Sequence, residues 1–181
     1  MDKVAVNYEK MYYGFPVVLV SFYDTNGIPN VTTISSTYTL KDMMVLGFNS
    51  KGYAINQIKE VQDFVINVPD RSLMEAISYC GATSGYDGSK FDHLSLTPVI
   101  APSVNAPLIQ ECPISIECTL TEVIERDHFQ GITNILAQIK SRYVAKDYLD
   151  HDGRLQASQF DHVLYIGDGK VRGFRTLQES K

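Results

Sequence analysis

The run Asn30-Val31-Thr32-Thr33-Ile34-Ser35-Ser36-Thr37-Tyr38 puts six Asn, Ser and Thr side chains into eight positions of a strand-like segment with apolar neighbours. Immediately upstream, Pro16-Val17-Val18-Leu19-Val20-Ser21-Phe22 is rich in the β-branched and aromatic residues that favour strands. Between the two runs lies Asn26-Gly27, the strongest short-range hairpin signal, so the polar run is expected to pair with a core strand. Hydroxyls and carboxamides offer donors and acceptors in little volume, which suits a flat heterocyclic ligand. A solvated edge made of good strand formers accounts for the same letters.

Outward from this hairpin, Met43 to Phe48 reads as a third strand, and Ala54 to Val61 carries Ile55, Ile58 and Val61 at helical spacing. Asp63 to Val68 is a fourth strand ending at Pro69. Ser72 is the expected cap of a second helix, with Glu75 completing a capping box and Gly81 stopping it. The Gly- and Ser-rich run 82–92, ATSGYDGSKFD, is loop, and such loops often hold ligands. Pro98, Pro102, Pro107 and Pro113 then punctuate short extended pieces. In Ile114 to Glu125, Ile114, Ile116, Cys118 and Leu120 face inward and alternate with Ser115, Glu117, Thr119 and Thr121, as in a half-buried strand. Ile132 to Val144 fits a helix through Ile132, Ile139 and Tyr143, and fits a strand face through Ile135, Ala137 and Ile139. Asp152-Gly153 marks a turn, and Val163 to Ile166 is a strand that Gly167-Asp168-Gly169 turns into Lys170 to Phe174. The first thirteen residues, with Val4, Val6, Tyr8, Met11 and Tyr12, form either a short helix or a docking arm. Two small helices among many strands predict a mainly β chain, an antiparallel barrel with appended helices.

The totals narrow the function. A chain of 181 residues fits one domain with a sizeable core and needs no staple. Its net charge of −5 and lack of a basic cluster argue against nucleic acid as a partner. No apolar run approaches the roughly 20 residues that span a bilayer, and Asp2 and Glu9 interrupt a signal-peptide reading, so a membrane is not expected and the cytoplasm is. Cys80, Cys112 and Cys118 match no zinc spacing and are expected as buried thiols, with Cys118 in the core. His93, His128, His151 and His162 show no ligand spacing, so no metal site is expected.

Two further stretches carry chemistry. Asn49-Ser50-Lys51-Gly52-Tyr53 joins the third strand to the first helix, and free N–H groups, hydroxyls and a lysine at a helix start suit a phosphate. An ordinary capped helix with a solvated lysine would have the same residues. Ser84-Gly85 with Lys90-Phe91 offers a second anion contact beside an aromatic ring, or simply a loop. There is no serine elbow, and no glycine-rich dinucleotide fingerprint follows a strand. A cofactor that brings its own redox chemistry fits these residues better than a nucleophile and base.

Taken in order, NVTTISST, NSKGYAIN, FVINVP, CGATSGYDGSKF, APLIQECPISIEC and YIGDGKV resemble the flavin reductase-like family of FMN-binding split barrels, the flavoredoxin type, over roughly residues 14–170. The resemblance implies a Greek-key split β-barrel spanning 1–181 as a single domain, a homodimer, and FMN at the barrel edge. It also implies an FMN-dependent oxidoreductase that moves electrons from NADH or NADPH, or a reduced carrier, to free flavin or another small-molecule acceptor. A flavin-binding electron carrier without intrinsic reductase activity is the other reading. By similarity Asn30, Thr32, Thr33, Ser35 and Ser36 line the flavin ring, and Asn49, Ser50, Lys51, Tyr53 and Asn56 the phosphate and ribityl end. Ser84, Gly85, Lys90 and Phe91 form a covering loop. Where the family often has His followed later by Gly-Glu, this chain reads DHFQGITNILAQI, which makes His128 a displaced catalytic candidate.

Overall fold

The computed structural model describes residues 1–8 and 10–177, and its regular structure begins with β1 (Tyr12–Pro16). The residues described before β1 form no helix, and Val4, Val6 and Tyr8 are exposed along this arm. The hairpin around Asn26-Gly27 follows as β2 (Val18–Tyr23) and β3 (Pro29–Ile34), and then come β4 (Thr37–Leu40) and β5 (Met43–Asn49). Helix α1 (Tyr53–Val61) leads into β6 (Asp63–Val68), and α2 (Met74–Ala82) precedes the small hairpin of β7 (Pro98–Ile100) and β8 (Pro107–Ile109). The long strands β9 (Ile114–Ile124) and β10 (Ile132–Val144) come next, then β11 (Val163–Gly167) and β12 (Arg172–Thr176). Among the described residues no helix is long and apolar enough to cross a membrane.

Seven strands form one antiparallel sheet in the order β3-β2-β6-β9-β10-β5-β4, while β1, β11 and β12 form a separate three-stranded sheet. In the large sheet β3 and β4 lie at opposite edges although only Ser35 and Ser36 separate them in sequence. The sheet therefore curls until its edges almost meet, a half-barrel, and the N–H of Gly47 donates to the Ser36 carbonyl (2.8 Å) where the chain crosses. The polar run is thus not one strand, as its letters suggest. It begins as β3 on β2 and ends as β4 on β5.

Alternation along β2 places the core. Val18, Val20 and Phe22 point into the barrel with Leu46, Phe64, Ile66, Cys118 and Ile135, and α1 adds Ile55 and Ile58 to the same interior. Val17 and Leu19 point outward and pack with Ala76, Ile77 and Cys80 of α2. Each of these two helices thus covers a different face of β2 and β3. Burial pushes all three thiols up, Cys80 to about 11, Cys118 to about 12 and Cys112 higher still, and all three are free.

Ile132–Val144 is a strand because β5 pairs with it on one side and β9 on the other, and Thr133, Ile135, Ala137 and Ile139 are buried at a period of two. Two expectations are corrected. Asp70, not Ser72, caps the turn before α2: its carboxylate accepts from Ser72 N–H (2.8 Å), a 3-10 turn comes first, and Gly81 lies inside the helix. On β9 the residues expected to face solvent include Ser115 and Glu117, which are 5% and 0% exposed. The hairpin of β7 and β8 and the loop between them lie over that face, and Ser103 N–H from this loop donates to Glu117 (3.2 Å).

Candidate functional site

At the edge formed by β3 a polar cavity of about 400 Å³ opens between β3, the end of β5, the start of α1 and the loop after α2. Each wall follows from local sequence. Asn30 is 2% exposed and uses both ends of its amide, Oδ1 accepting from Val31 N–H (2.9 Å) and Nδ2 donating to the Gly88 carbonyl (3.1 Å). With Ser89 Oγ donating to the Pro29 carbonyl (2.7 Å), this ties the loop to the first residues of β3. Because Val31 N–H bonds its own neighbour rather than β2, alternation sends Thr33 N–H toward the same outer edge. The Thr33 hydroxyl donates to the Ile77 carbonyl (2.7 Å) and anchors α2.

Gly52 is the residue before α1, and no side chain caps this helix. The first-turn N–H groups of a helix have no intrahelical acceptor, and Gly52, Tyr53, Ala54 and Ile55 all line the cavity, so this end offers donors and the positive end of a dipole. The Tyr53 hydroxyl donates to Asp24 (2.8 Å), whose other oxygen accepts from Asn26 and Ile28 at the hairpin turn. Burial, helped by that bond and the carboxylate charge, pushes the Tyr53 phenol up to about 12, so Tyr53 keeps its proton at neutral pH. Burial works to raise the Asp24 carboxyl as well, but the bonds it accepts outweigh this and hold it below its usual range. Gly85 lies against the Tyr53 ring so closely that a Cβ there would meet it at 2.3 Å.

Lys90 gives the cavity its charge. It is 4% exposed, lines the cavity, and donates from Nζ to the Cys80 carbonyl (2.9 Å), its one hydrogen-bond partner among the described residues. An ammonium has three N–H donors, so two remain for a ligand. Burial lowers its pKa, against the neighbouring Cys80.

Of the residues singled out from sequence, Asn30, Thr32, Thr33, Asn49, Tyr53, Ser84, Gly85 and Lys90 come together on this cavity. The rest do not line it. Ser35 faces a neighbouring cavity, and Ser36 lies at the strand crossing. Ser50 is hydrogen-bonded to the Thr133 hydroxyl (2.9 Å), which itself donates to Glu125 (2.8 Å), Lys51 is exposed, and Asn56 donates to the Tyr86 hydroxyl (2.9 Å). Phe91 packs in the cluster under α2, and His128 is exposed on a 3-10 turn at Asp127–Phe129. Sequence reasoning missed Lys10, Gly47, Gly81 and Thr83 among the lining residues. Gly47 carried a signal, since a glycine inside a strand marks close approach, and a Cβ there would meet Ser36 at 3.2 Å and Asn134 at 3.1 Å. Among the described residues no group of three or more His, Cys, Asp and Glu could hold a metal ion.

A family model described as a flavin reductase like domain matches residues 11–168. Among solved structures, the flavoredoxin of Desulfovibrio vulgaris (Miyazaki F) superposes with a TM-score of 0.88 at 26% identity, over 99% of this chain and 96% of that one. A flavoredoxin from Methanosarcina acetivorans gives 0.85 at 22% identity, over 100% and 94%. Among curated relatives, the uncharacterized protein YdfE of Bacillus subtilis (strain 168) is 23% identical over 169 residues, 86% of this chain and 82% of the relative.

Proposed function

The chain belongs to the flavin reductase-like family, and from that premise we propose that it is an FMN-dependent oxidoreductase that takes electrons from NADH or NADPH and delivers them to free flavin or another small acceptor. The observation that carries this is the union of two features in one cavity: an uncapped helix start at Gly52 and a buried, under-bonded ammonium at Lys90. The first suits a terminal phosphate and the second an electron-rich ring, and about 400 Å³ lies within the usual range for a ligand site.

Bound FMN supplies the redox chemistry, since a flavin accepts hydride from a reduced nicotinamide and passes the electrons on. The chain's own residues do the placing. Tyr53, Ala54 and Ile55 present first-turn N–H groups to the phosphate, and Asn49 flanks them. Thr32 and the outward N–H of Thr33 would give the ring a polar edge that Asn30 holds in place, and the Lys90 ammonium would offset negative charge on the ring. Ser84 and Gly85 cover the cavity, held down by the contact with Tyr53. No side chain in this arrangement acts as general acid or base, and His128 has no part in it.

The protein works as a homodimer in the cytoplasm. Val99 and Ile100 on β7 are 40% and 80% exposed and form the apolar patch that a second copy covers, whereas Val104 and Ile109 from the same proline-punctuated stretch are buried within the chain. Light scattering at micromolar concentration reads the dimer, and a monomer with full flavin affinity would remove it.

Flavin titration followed by anaerobic mixing with NADH and NADPH tests the main proposal. One FMN per chain, bound more tightly than FAD and bleached by a nicotinamide donor, is the expected result. Protein that takes up no FMN overturns it, and FMN that binds but accepts no electrons from either donor leaves an electron carrier instead.

A further inference from the structure

Beyond the Thr33–Gly81 contact lies a second cavity of about 580 Å³. Thr33 and Gly81 line both cavities, and a Cβ built on Gly81 would touch the Thr33 side chain at 3.5 Å, so the wall between them is one residue contact thick. The walls of this second cavity differ in chemistry from the first. The three-stranded sheet supplies Tyr165 and Phe174, ring centroids 5.5 Å apart and tilted by 40°, and also Arg172, which shares a strand face with Phe174. Ser78 on α2 and Ser35 after β3 add hydroxyls. Of the cations on and beside β12, Arg172 lines this cavity, whereas Arg175 lines a different one on the other face of the strand.

Rings for stacking, a guanidinium for bidentate phosphate contact and hydroxyls for a ribose together match a nucleotide. Tyr165 and Phe174 also pack against the cluster under α2, so it is their partly exposed faces that reach the cavity, and the arginine beside them distinguishes it from a site for a hydrocarbon. We propose that this cavity holds the adenosine diphosphate half of the nicotinamide donor, whose other end crosses the Thr33–Gly81 wall into the flavin cavity. The absence of a side chain at Gly81 keeps that crossing low. The assignment rests on the donor reading above for the identity of its ligand, but the site itself can be read without turnover.

The test titrates the FMN-loaded protein with ADP-ribose and with its 2′-phosphate by calorimetry, in wild type, Arg172→Ala and Ser78→Trp. Ser78 is exposed on α2, so the indole fills the cavity without entering the core. Affinity for the better of the two probes falls about tenfold or more in each variant, as the loss of a charge-assisted bond implies. The KM for the dinucleotide rises in parallel at constant kcat, the FMN Kd stays unchanged, and turnover of reduced nicotinamide mononucleotide, which lacks the adenosine half, is unaffected. Wild type that binds neither probe, or variants that bind as wild type does, overturn the assignment. Binding that depends on Arg172 in a protein oxidising neither NADH nor NADPH would retain the nucleotide cavity and remove the donor reading. Turnover with an unshifted KM in both variants would do the reverse.

Discussion

Asn67 near the end of β6 and Lys90 in the loop after α2 are both sealed from solvent, 0% and 4% exposed, yet their hydrogen bonding is opposite. Asn67 spends its whole amide inside the chain: Nδ2 donates to Ser21 Oγ (2.8 Å) and the Leu19 carbonyl (3.2 Å), and Oδ1 accepts from Ile109 N–H and Ser115 Oγ (both 2.9 Å). It fastens β8 to β6 and β2 and has nothing left for a ligand. Among the described residues Lys90 makes one hydrogen bond, and it opens onto a cavity with two N–H donors left for a ligand. Burial of a polar group is a cost in both places. Only in the first is it offset within the fold, and the second waits for something to bind.

Breaking Asn67 should have the largest effect, and on stability alone. Asn67→Leu leaves Ile109 N–H and Ser115 Oγ without their acceptor, while Ser21 keeps its bond to the Pro107 carbonyl, and should lower unfolding free energy by about 2–4 kcal/mol in urea titrations, with FMN affinity of the folded fraction unchanged. Lys90→Met inverts this. FMN affinity should fall about tenfold to hundredfold by fluorescence titration, while stability should fall less than in Asn67→Leu, because loss of a buried amine offsets the loss of the donor to the Cys80 carbonyl. Equal losses of stability in the two variants would erase the distinction.

The same contrast has a pH signature. The Lys90 pKa is lowered by burial, so between that lowered value and the unfolded value near 10.5 the unfolded chain binds the extra proton. Stability without flavin should therefore rise with pH across that window as the folded amine becomes neutral, and FMN affinity should fall across it as the ammonium is lost. Wild type and Lys90→Met compared in alkaline buffer separate the two slopes, and a wild-type FMN Kd that stays flat there would take Lys90 out of the site. The smallest effect belongs to Lys51. Its side chain is exposed and outside the cavity lining, so Lys51→Ala should change the FMN Kd by less than about threefold.

What was legible in the sequence was whatever depends on neighbours along the chain. The Asn26-Gly27 hairpin, α1 and β6 follow from turn chemistry and periodicity, and the order of six stretches gave the family. Contacts from afar were not legible. Glu117 sits at an alternating position that reads as solvent-facing until a loop fourteen residues upstream covers it, and nothing in ISIECTLTEV announces that cover. The polar run 30–38 contains no Gly or Pro, so the change of strand at Ser35-Ser36 leaves no local mark; it follows from closure of a seven-stranded sheet. Within the site, the stretch at Asn49 to Tyr53 was found for its helix start, but the letters favour Lys51 when the backbone beside it faces the cavity. Lys10 belongs to an arm with no motif, and only the fold brings it to the cavity wall.

The three sealed thiols can serve as clocks. A sulfhydryl with a raised pKa and no exposure reacts with a labelling reagent only while its surroundings are open, so its rate counts openings rather than collisions. Cys80 lies next to Gly81 on the helix that walls both cavities, whereas Cys118 lies inside the barrel. Adding FMN should therefore slow labelling of Cys80 well beyond that of Cys118, and the unmodified protein would time the breathing of its own cavity wall against the unfolding of its barrel.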